Sequence, residues 1–318
     1  MRRHGAIGAA LLAFWLPTAG LADEAFVTNQ GSDDVSVVDL EAGAAVATIP
    51  VGGKPAGVAV SRDGSRAYVT SPEGKYLSVI DAAARQVLRR VPLEGGPLGV
   101  AVHPSGNPVY VADWYGARIQ VVDPERGVVS GSVEVGASPS GVAVTADGRL
   151  IVTADRDADS VSLIDAATLT RTATIKVGTR PFGVTIDAED RRAYAANVGS
   201  NDVSVIDLAE RRVVGTVPVG ERPYAVALAG GRGFVTDQYA NTVTVFDLAT
   251  LERVGRVDVG DYPEGIEASA DGSRVYVASW FANTLGVIDA SDLTLEAEIP
   301  VGDGPRAFGA FVRRTTSP

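Results

Sequence analysis

The sequence predicts an all-β protein: a β-propeller of seven blades, four antiparallel strands each, its ring closed by the C-terminal strand joining the N-terminal three. Three observations predict it. A proline opens a similar phrase at Pro55, Pro97, Pro139, Pro181, Pro223, Pro263 and Pro305, at spacings of 42, 42, 42, 42, 40 and 42 residues. An aspartate ending a Val/Leu/Phe-rich segment keeps the same beat at Asp39, Asp81, Asp123, Asp165, Asp207, Asp247 and Asp289. Repeats of this length that each hold one small sheet must stack to cover their apolar faces. The frame is also cut, because Ala25 to Thr28 is the second strand of a unit and Pro305 to Phe311 is a lone first strand. The two ends therefore complete one blade, which removes the edges of an open array.

One unit shows how each strand is specified. Gly57 to Val60, Ala67 to Thr70, Leu77 to Ile80 and Val87 to Leu93 are short apolar, β-branched segments separated by turn residues, the pattern of a four-stranded antiparallel sheet. The turn after the first strand reads Ser61-Arg62-Asp63-Gly64, and recurs as Thr145-Ala146-Asp147-Gly148 and Ser269-Ala270-Asp271-Gly272. Its Asp-Gly supplies the positive φ of a tight hairpin.

Upstream of the repeats, Arg2 and Arg3 precede an apolar run from Ala6 to Leu16, and small residues at Gly20 and Ala22 suit cleavage before Asp23. Residues 1–22 read as a signal peptide and residues 23–318 as one propeller domain. The expected location is periplasmic or secreted. The apolar run is too short for a permanent anchor, and a chain with no cysteine has no lipid-attachment site, so no membrane anchor is expected. The lack of cysteine also excludes disulfides, thiolate catalysis, iron-sulfur clusters and haem attached through C-x-x-C-H. The formal charge is −11, an acidic balance that disfavours nucleic acid and anionic membrane as partners. His103, the only histidine after residue 22, stands at the hairpin position held elsewhere by Ser61, Thr145 and Ser269 and reads as a turn residue. With no second histidine or thiol, Ser-His-Asp, Cys-His and histidine-rich metal sites are excluded. No cofactor and no metal are expected.

The phrases Phe26-Val27-Thr28, Tyr68-Val69-Thr70 and Phe234-Val235-Thr236, followed by Ser-Val-Ile-Asp and Val-Gly-x-x-Pro, resemble the YVTN-repeat family of seven-bladed propellers. The resemblance covers all seven units. It implies an exported or surface protein, often found beside periplasmic dehydrogenase systems, and a repeat signature that describes a scaffold and no reaction.

Seven copies make an internal profile: what recurs is architecture, and what departs is where function is sought. The strand-ending aspartates fall at one turn of every unit, where a carboxylate accepts backbone N–H bonds. The aromatic of the second strand, at Phe26, Tyr68, Tyr110, Tyr194, Phe234 and Tyr276 with Val152 as the exception, reads as packing between blades. The segment Asp155-Arg156-Asp157-Ala158-Asp159-Ser160 has the alternating acids of a calcium loop, but Asp155 aligns with Asn29, Asp113, Asn197 and Asp237, and Asp159 with Asp33, Asn201, Asn241 and Asn283. Both are turn positions, and the glycine and distal glutamate of an EF-hand loop do not follow.

In a propeller the loops from a fourth strand to the next first strand, and from second to third, share one face around the channel mouth. Eight of the 18 aromatic residues after residue 22 fall in these loops. The candidate ligand- or partner-binding residues are therefore Trp114, Tyr115, Arg180, Phe182, Arg222, Tyr224, Tyr239, Tyr262, Glu264, Glu267, Trp280, Phe281 and Arg306. The aromatics either bind a ligand or pack over one another and seal the channel. Glu267 stands where the other copies carry Ala59, Ala101, Ala143, Thr185, Ala227 and Gly309, and Glu264 with Arg306 of the adjacent blade is expected to form an ion pair at the mouth.

The leading functional reading is an exported binding or docking module that captures a small molecule or a periplasmic protein at the mouth; the family resemblance implies its most specific form, an accessory to a periplasmic quinoprotein dehydrogenase system. The alternative is an enzyme or enzyme subunit: a lactonase-like hydrolase using Glu267 as base with Arg306 as oxyanion partner, or an amine dehydrogenase heavy chain. Single-stranded nucleic acid is disfavoured, since the two loop sets carry seven basic and 14 acidic residues.

Overall fold

The structure, a computed structural model, describes residues 23–314. The expected signal peptide, residues 1–22, lies outside the described residues. Seven antiparallel sheets stand as blades around a common axis, as the sequence predicts. Naming the strands of a blade a to d from the axis outward, blade 2 consists of Gly57–Val60, Arg66–Ser71, Tyr76–Asp81 and Gln86–Pro92. The a strands of blades 3 to 7 are Pro97–Val102, Pro139–Val144, Pro181–Ile186, Pro223–Ala229 and Pro263–Ala268. The d strands face solvent on the rim, where Arg89, Arg90, Arg171, Arg253 and Arg256 are exposed and protect the sheet edges by charge. Among the described residues no helix is long and apolar enough to cross a membrane.

The repeated residues have repeated jobs. Each strand-ending aspartate accepts the N–H groups two and three residues on, as Asp39 does from Glu41 and Ala42 at 3.0 and 2.8 Å and Asp207 from Ala209 and Glu210 at 3.0 and 2.8 Å. The b-strand aromatics are buried against the following blade: Tyr68 among Val100 and Val111, Tyr110 against Ile151, Tyr194 against Val226 and Val235, and Tyr276 against Ala25 and Val27. Each such ring contributes about 1.5–3 kcal/mol by burial.

The threonine of the Tyr-Val-Thr phrase ties blades together near the axis. The Thr70 hydroxyl donates to the Leu98 carbonyl of the next blade at 2.6 Å and accepts from Gly57 N at 2.9 Å; Thr28 bonds Ala56 O and Thr236 bonds Glu264 O, both at 2.8 Å. In blade 4, where Ala154 replaces the threonine, Ser140 reaches Phe182 O at 2.8 Å instead. A glycine two residues after five of the seven prolines, at Gly57, Gly99, Gly141, Gly183 and Gly265, permits this close approach of the strands. A Cβ at Gly99 would stand 2.0 Å from Ser140 O, too close for any side chain.

Blade 1 is the composite one. Its b, c and d strands are Glu24–Asn29, Asp34–Asp39 and Ala44–Pro50, and its innermost strand comes from the C-terminus. That strand is not the single run the sequence suggests but two short pieces. Phe308–Ala310 pairs parallel with Gly57–Val60 of blade 2, and Val312–Arg313 pairs antiparallel with Glu24–Asn29. Between them Phe311 O accepts from Phe26 N at 2.8 Å, and Pro305 bridges Asn29. The chain leans to the neighbouring blade near the axis, where strands crowd, and returns to its own blade further down. Glu24 clamps the seam by receiving Arg313 at 2.8 Å and Arg85 of blade 2 at 2.6 Å.

Candidate functional site

The d-to-a and b-to-c loops do converge on one face, here called upper. The residue before each proline is held in the left-handed region at Lys54, Ser138, Arg180, Arg222 and Tyr262. A turn side chain of the preceding b-to-c loop fixes most of them. Asp33 accepts Lys54 N, Asp159 accepts Arg180 N and Asn201 accepts Arg222 N, each at 2.8 Å, and Asn241 accepts Tyr262 N at 2.9 Å. Asp159 therefore has the scaffold role of its counterparts. Asp155 is fully buried and accepts the Ser162 hydroxyl at 2.5 Å, while Asp157 is bound by Arg156 at 2.6 Å.

Inside this ring, Trp114, Arg156, Phe182, Arg222, Tyr224, Gln238, Tyr262, Glu264 and Arg306 line a pocket of about 170 Å³. The expected Glu264/Arg306 pair is present, with Arg306 Nε donating to Glu264 Oε2 at 2.7 Å. It is a buried pair, Glu264 being 2 % exposed and the Arg306 side chain 19 %. Burial pushes the Glu264 carboxyl upward and the guanidinium pulls it back. Arg306 also donates to the Tyr224 hydroxyl at 3.0 Å and lies 5.1 Å from the centre of the Trp280 ring. Glu264 Oε1 accepts from Gln238 at 2.9 Å, and Gln238 Oε1 accepts from Arg222 Nε at 3.2 Å. Two further guanidiniums cover rings, Arg222 over Tyr239 at 4.8 Å and Arg156 over Trp114 at 5.4 Å.

The candidate aromatics divide. Phe182 and Tyr224 are buried and stack at 4.4 Å, with Phe308 5.0 Å from Phe182 and 5.3 Å from Tyr224; with Ala56 and Leu98 they plug the channel. For these two, sealing is the role the structure gives. Tyr239, Tyr262 and Phe281 form an outer row at 5.8 and 5.1 Å, with Tyr239 52 % and Phe281 68 % exposed. Tyr115 is 81 % exposed on the rim, and the Arg180 side chain is exposed as well.

Glu267 is not at the mouth. It lines a second, larger cavity of about 480 Å³ below the plug. Its Oε2 accepts the N–H groups of Phe311 and Val312 at 2.5 and 2.7 Å, so the carboxylate that breaks the alanine pattern holds the C-terminal strand at the seam. The base-and-oxyanion pairing of Glu267 with Arg306 is thereby corrected: the two line different cavities, and Arg306 is engaged by Glu264. Burial pushes the Glu267 carboxyl up to about 7, opposed by the two N–H bonds and by Arg314. A group raised in the folded state contributes stability that is complete below its unfolded pKa of about 4.5 and lost as pH rises through about 7. Glu267→Gln should therefore gain in melting temperature relative to wild type between pH 4.5 and 7.5; a constant difference across that window contradicts a shifted carboxyl.

Arg156 and Gln238 complete the upper pocket; the sequence places both in the b-to-c loops of this face, but neither is among the candidate binding residues. Both sit one position after the buried acid of strand b, aligned with Trp114 and Trp280, and comparing that position around the ring finds them.

The sequence profile of YNCE-like beta-propellers matches residues 4–107 and 119–313 of the chain. No curated protein matches it. Among solved structures, a chain of Kuenenia stuttgartiensis hydrazine synthase is similar at 21% identity and a TM-score of 0.74, over 80% of this chain and 89% of that one. A functionally unknown protein from Desulfotomaculum acetoxidans is similar at 15% identity and a TM-score of 0.77, over 90% of this chain and 99% of that one. At these identities the likeness is one of fold.

Proposed function

The chain belongs to the YNCE-like beta-propeller family, and from that premise we propose that it is an exported binding module whose upper mouth captures the anionic group, carboxylate or phosphate, of a small molecule. One observation carries the reading. Three guanidiniums, of Arg156, Arg222 and Arg306, surround one pocket with their faces covered by Trp114, Tyr239 and Trp280. The one carboxylate lining the pocket, Glu264, is already taken by Arg306 and Gln238, and Asp157 beside it holds one nitrogen of Arg156, which leaves three guanidiniums against two carboxylates. Stacked guanidiniums present their N–H edges to an anion in a fork that matches carboxylate and phosphate. The centre of this face is thus cationic although its loops are acidic in total.

The test uses the chain from Asp23 onward, whose tryptophans are Trp114 and Trp280. Titration with small dicarboxylates and phosphate monoesters should change tryptophan emission, and Arg222→Ala should weaken binding about tenfold or more, the loss of one charged hydrogen bond. A ligand confirmed by calorimetry that leaves the emission and the Arg222→Ala affinity unchanged refutes the choice of face. Protein recovered from the periplasm should begin at Asp23; a chain retaining residues 1–22 there refutes the cleavage. The accessory role beside a quinoprotein dehydrogenase is carried by family resemblance, and copurification with such an enzyme checks it. Binding is favoured over the lactonase-like alternative because the acid and the arginine that hydrolysis called for face different cavities.

A further inference from the structure

The lower cavity has the size and character of a small-molecule site in its own right. Its volume of about 480 Å³ falls within the usual range for ligand pockets, roughly 300–1,000 Å³. The plug of Phe182, Tyr224 and Phe308 closes it above. Its walls are the a strands of the ring, which present small and aliphatic side chains such as Ala101, Ala143, Val144, Ile186 and Leu228. One carboxylate enters this lining, that of Glu267, and one cation, the exposed Arg314, stands with it among the lining residues.

The seam uses only half of Glu267. Both backbone N–H groups go to Oε2, and among the described residues Oε1 has no hydrogen-bond partner. Arg314 does not close an ion pair with it, the pairs of the described residues lying elsewhere. The hydroxyl nearest in kind, that of Thr185, donates to Val226 O at 2.6 Å and is spent. Arg314 acts on Glu267 only at a distance; a carboxylate among apolar walls with no directly bonded counter-charge is unfavourable, and a donor carrying positive charge is what completes it.

We propose that the lower cavity is a second binding site, taking a molecule with an apolar body and a primary ammonium end, the ammonium received by Glu267 Oε1. The body replaces water along the alanine and valine walls, and the cation supplies the direct charged hydrogen bond that Glu267 Oε1 lacks. Because burial holds the free carboxyl up to about 7, binding an ammonium near pH 6 drives Glu267 to ionise and releases a proton to the buffer. The site is independent of the upper mouth, so a failure of either proposal leaves the other standing.

The experiment is isothermal titration of n-alkylammonium ions, with alkyl carboxylates and alcohols of equal length as controls, at pH 6 in two buffers of different ionisation heat. The ammonium series should bind, tightening about threefold to fourfold per added methylene, with proton release seen as a buffer-dependent heat. Glu267→Gln keeps an acceptor for Phe311 and Val312 and should abolish both the preference for ammonium and the proton release. Ala143→Phe fills the cavity and should abolish binding by every series, which decides the matter even if Glu267→Gln does not fold. Carboxylates that bind as tightly as ammonium ions would assign the site to Arg314 and overturn the proposal. So would an absence of binding at millimolar ligand, or binding that survives Ala143→Phe.

Discussion

A chain ending at Gly304 is expected to lose its cooperative unfolding transition altogether. The removed segment supplies the innermost strand of blade 1, so Glu24–Asn29 becomes an open sheet edge at the axis. The Thr28 hydroxyl, which accepts from Ala307 N at 3.0 Å, loses that donor. Phe311, fully buried, and Phe308, part of the channel plug, leave apolar surroundings exposed. Three buried or half-buried carboxylates are abandoned together: Glu24 loses Arg313, Glu264 loses Arg306 and Glu267 loses both N–H groups. Stranding one such group costs a few kcal/mol, and three exceed about a third of the 5–15 kcal/mol that stabilises an ordinary domain. The truncated chain should show no single calorimetric peak and should bind a hydrophobic dye. If it melts as one transition at the temperature of the full chain, the seam contributes nothing and the ring does not depend on closure.

That closure was legible in the sequence because repeats expose their own frame. A unit beginning at its second strand and a stray first strand at the far end can be reconciled in one way. The same internal comparison separated scaffold from departure correctly for the strand-ending aspartates and for Asp155 and Asp159, whose side chains serve turns that every blade needs. The comparison failed where direction mattered. Glu264 and Glu267 are three residues apart on one strand, a rise of about 10 Å, and successive side chains of a strand point to opposite faces. The register also shifts between Pro263 and Ile266. One carboxylate consequently meets the upper mouth and the other the lower cavity, on either side of an aromatic plug that no repeat pattern announces. Phe182 and Tyr224 look like binding aromatics for the same reason: position in a loop is visible in sequence, whereas the inward tilt that buries them is not.

Arg306→Ala should be the most damaging single substitution at the mouth, lowering the melting temperature by roughly 6–20 °C, from about 3–5 kcal/mol for breaking a buried pair at about 2–4 °C per kcal/mol for a chain of this size. It leaves Glu264 with Gln238 alone in a setting where the carboxylate is 2 % exposed. Glu264→Gln should cost less. The guanidinium left behind keeps the Tyr224 hydroxyl and the Trp280 ring, and at 19 % exposure still reaches water through the mouth. The two variants also part in their response to pH. Without Arg306, the strongest opposition to the burial that pushes the Glu264 carboxyl upward is gone, leaving only the weaker pull of Tyr224 and Arg222. Arg306→Ala is then mildest near and below the unfolded carboxyl pKa of about 4.5, where Glu264 is neutral in both states, and its cost grows as pH rises toward neutrality. Glu264→Gln introduces no titrating group and should run parallel to wild type apart from the loss of its own carboxyl. Thermal melts of both variants from pH 4.5 to 8 decide the matter: an Arg306→Ala deficit that stays small and flat across the range would show a pair hydrated like a surface ion pair, worth about 0–1 kcal/mol, and would remove the fixed guanidinium on which anion capture at the mouth depends.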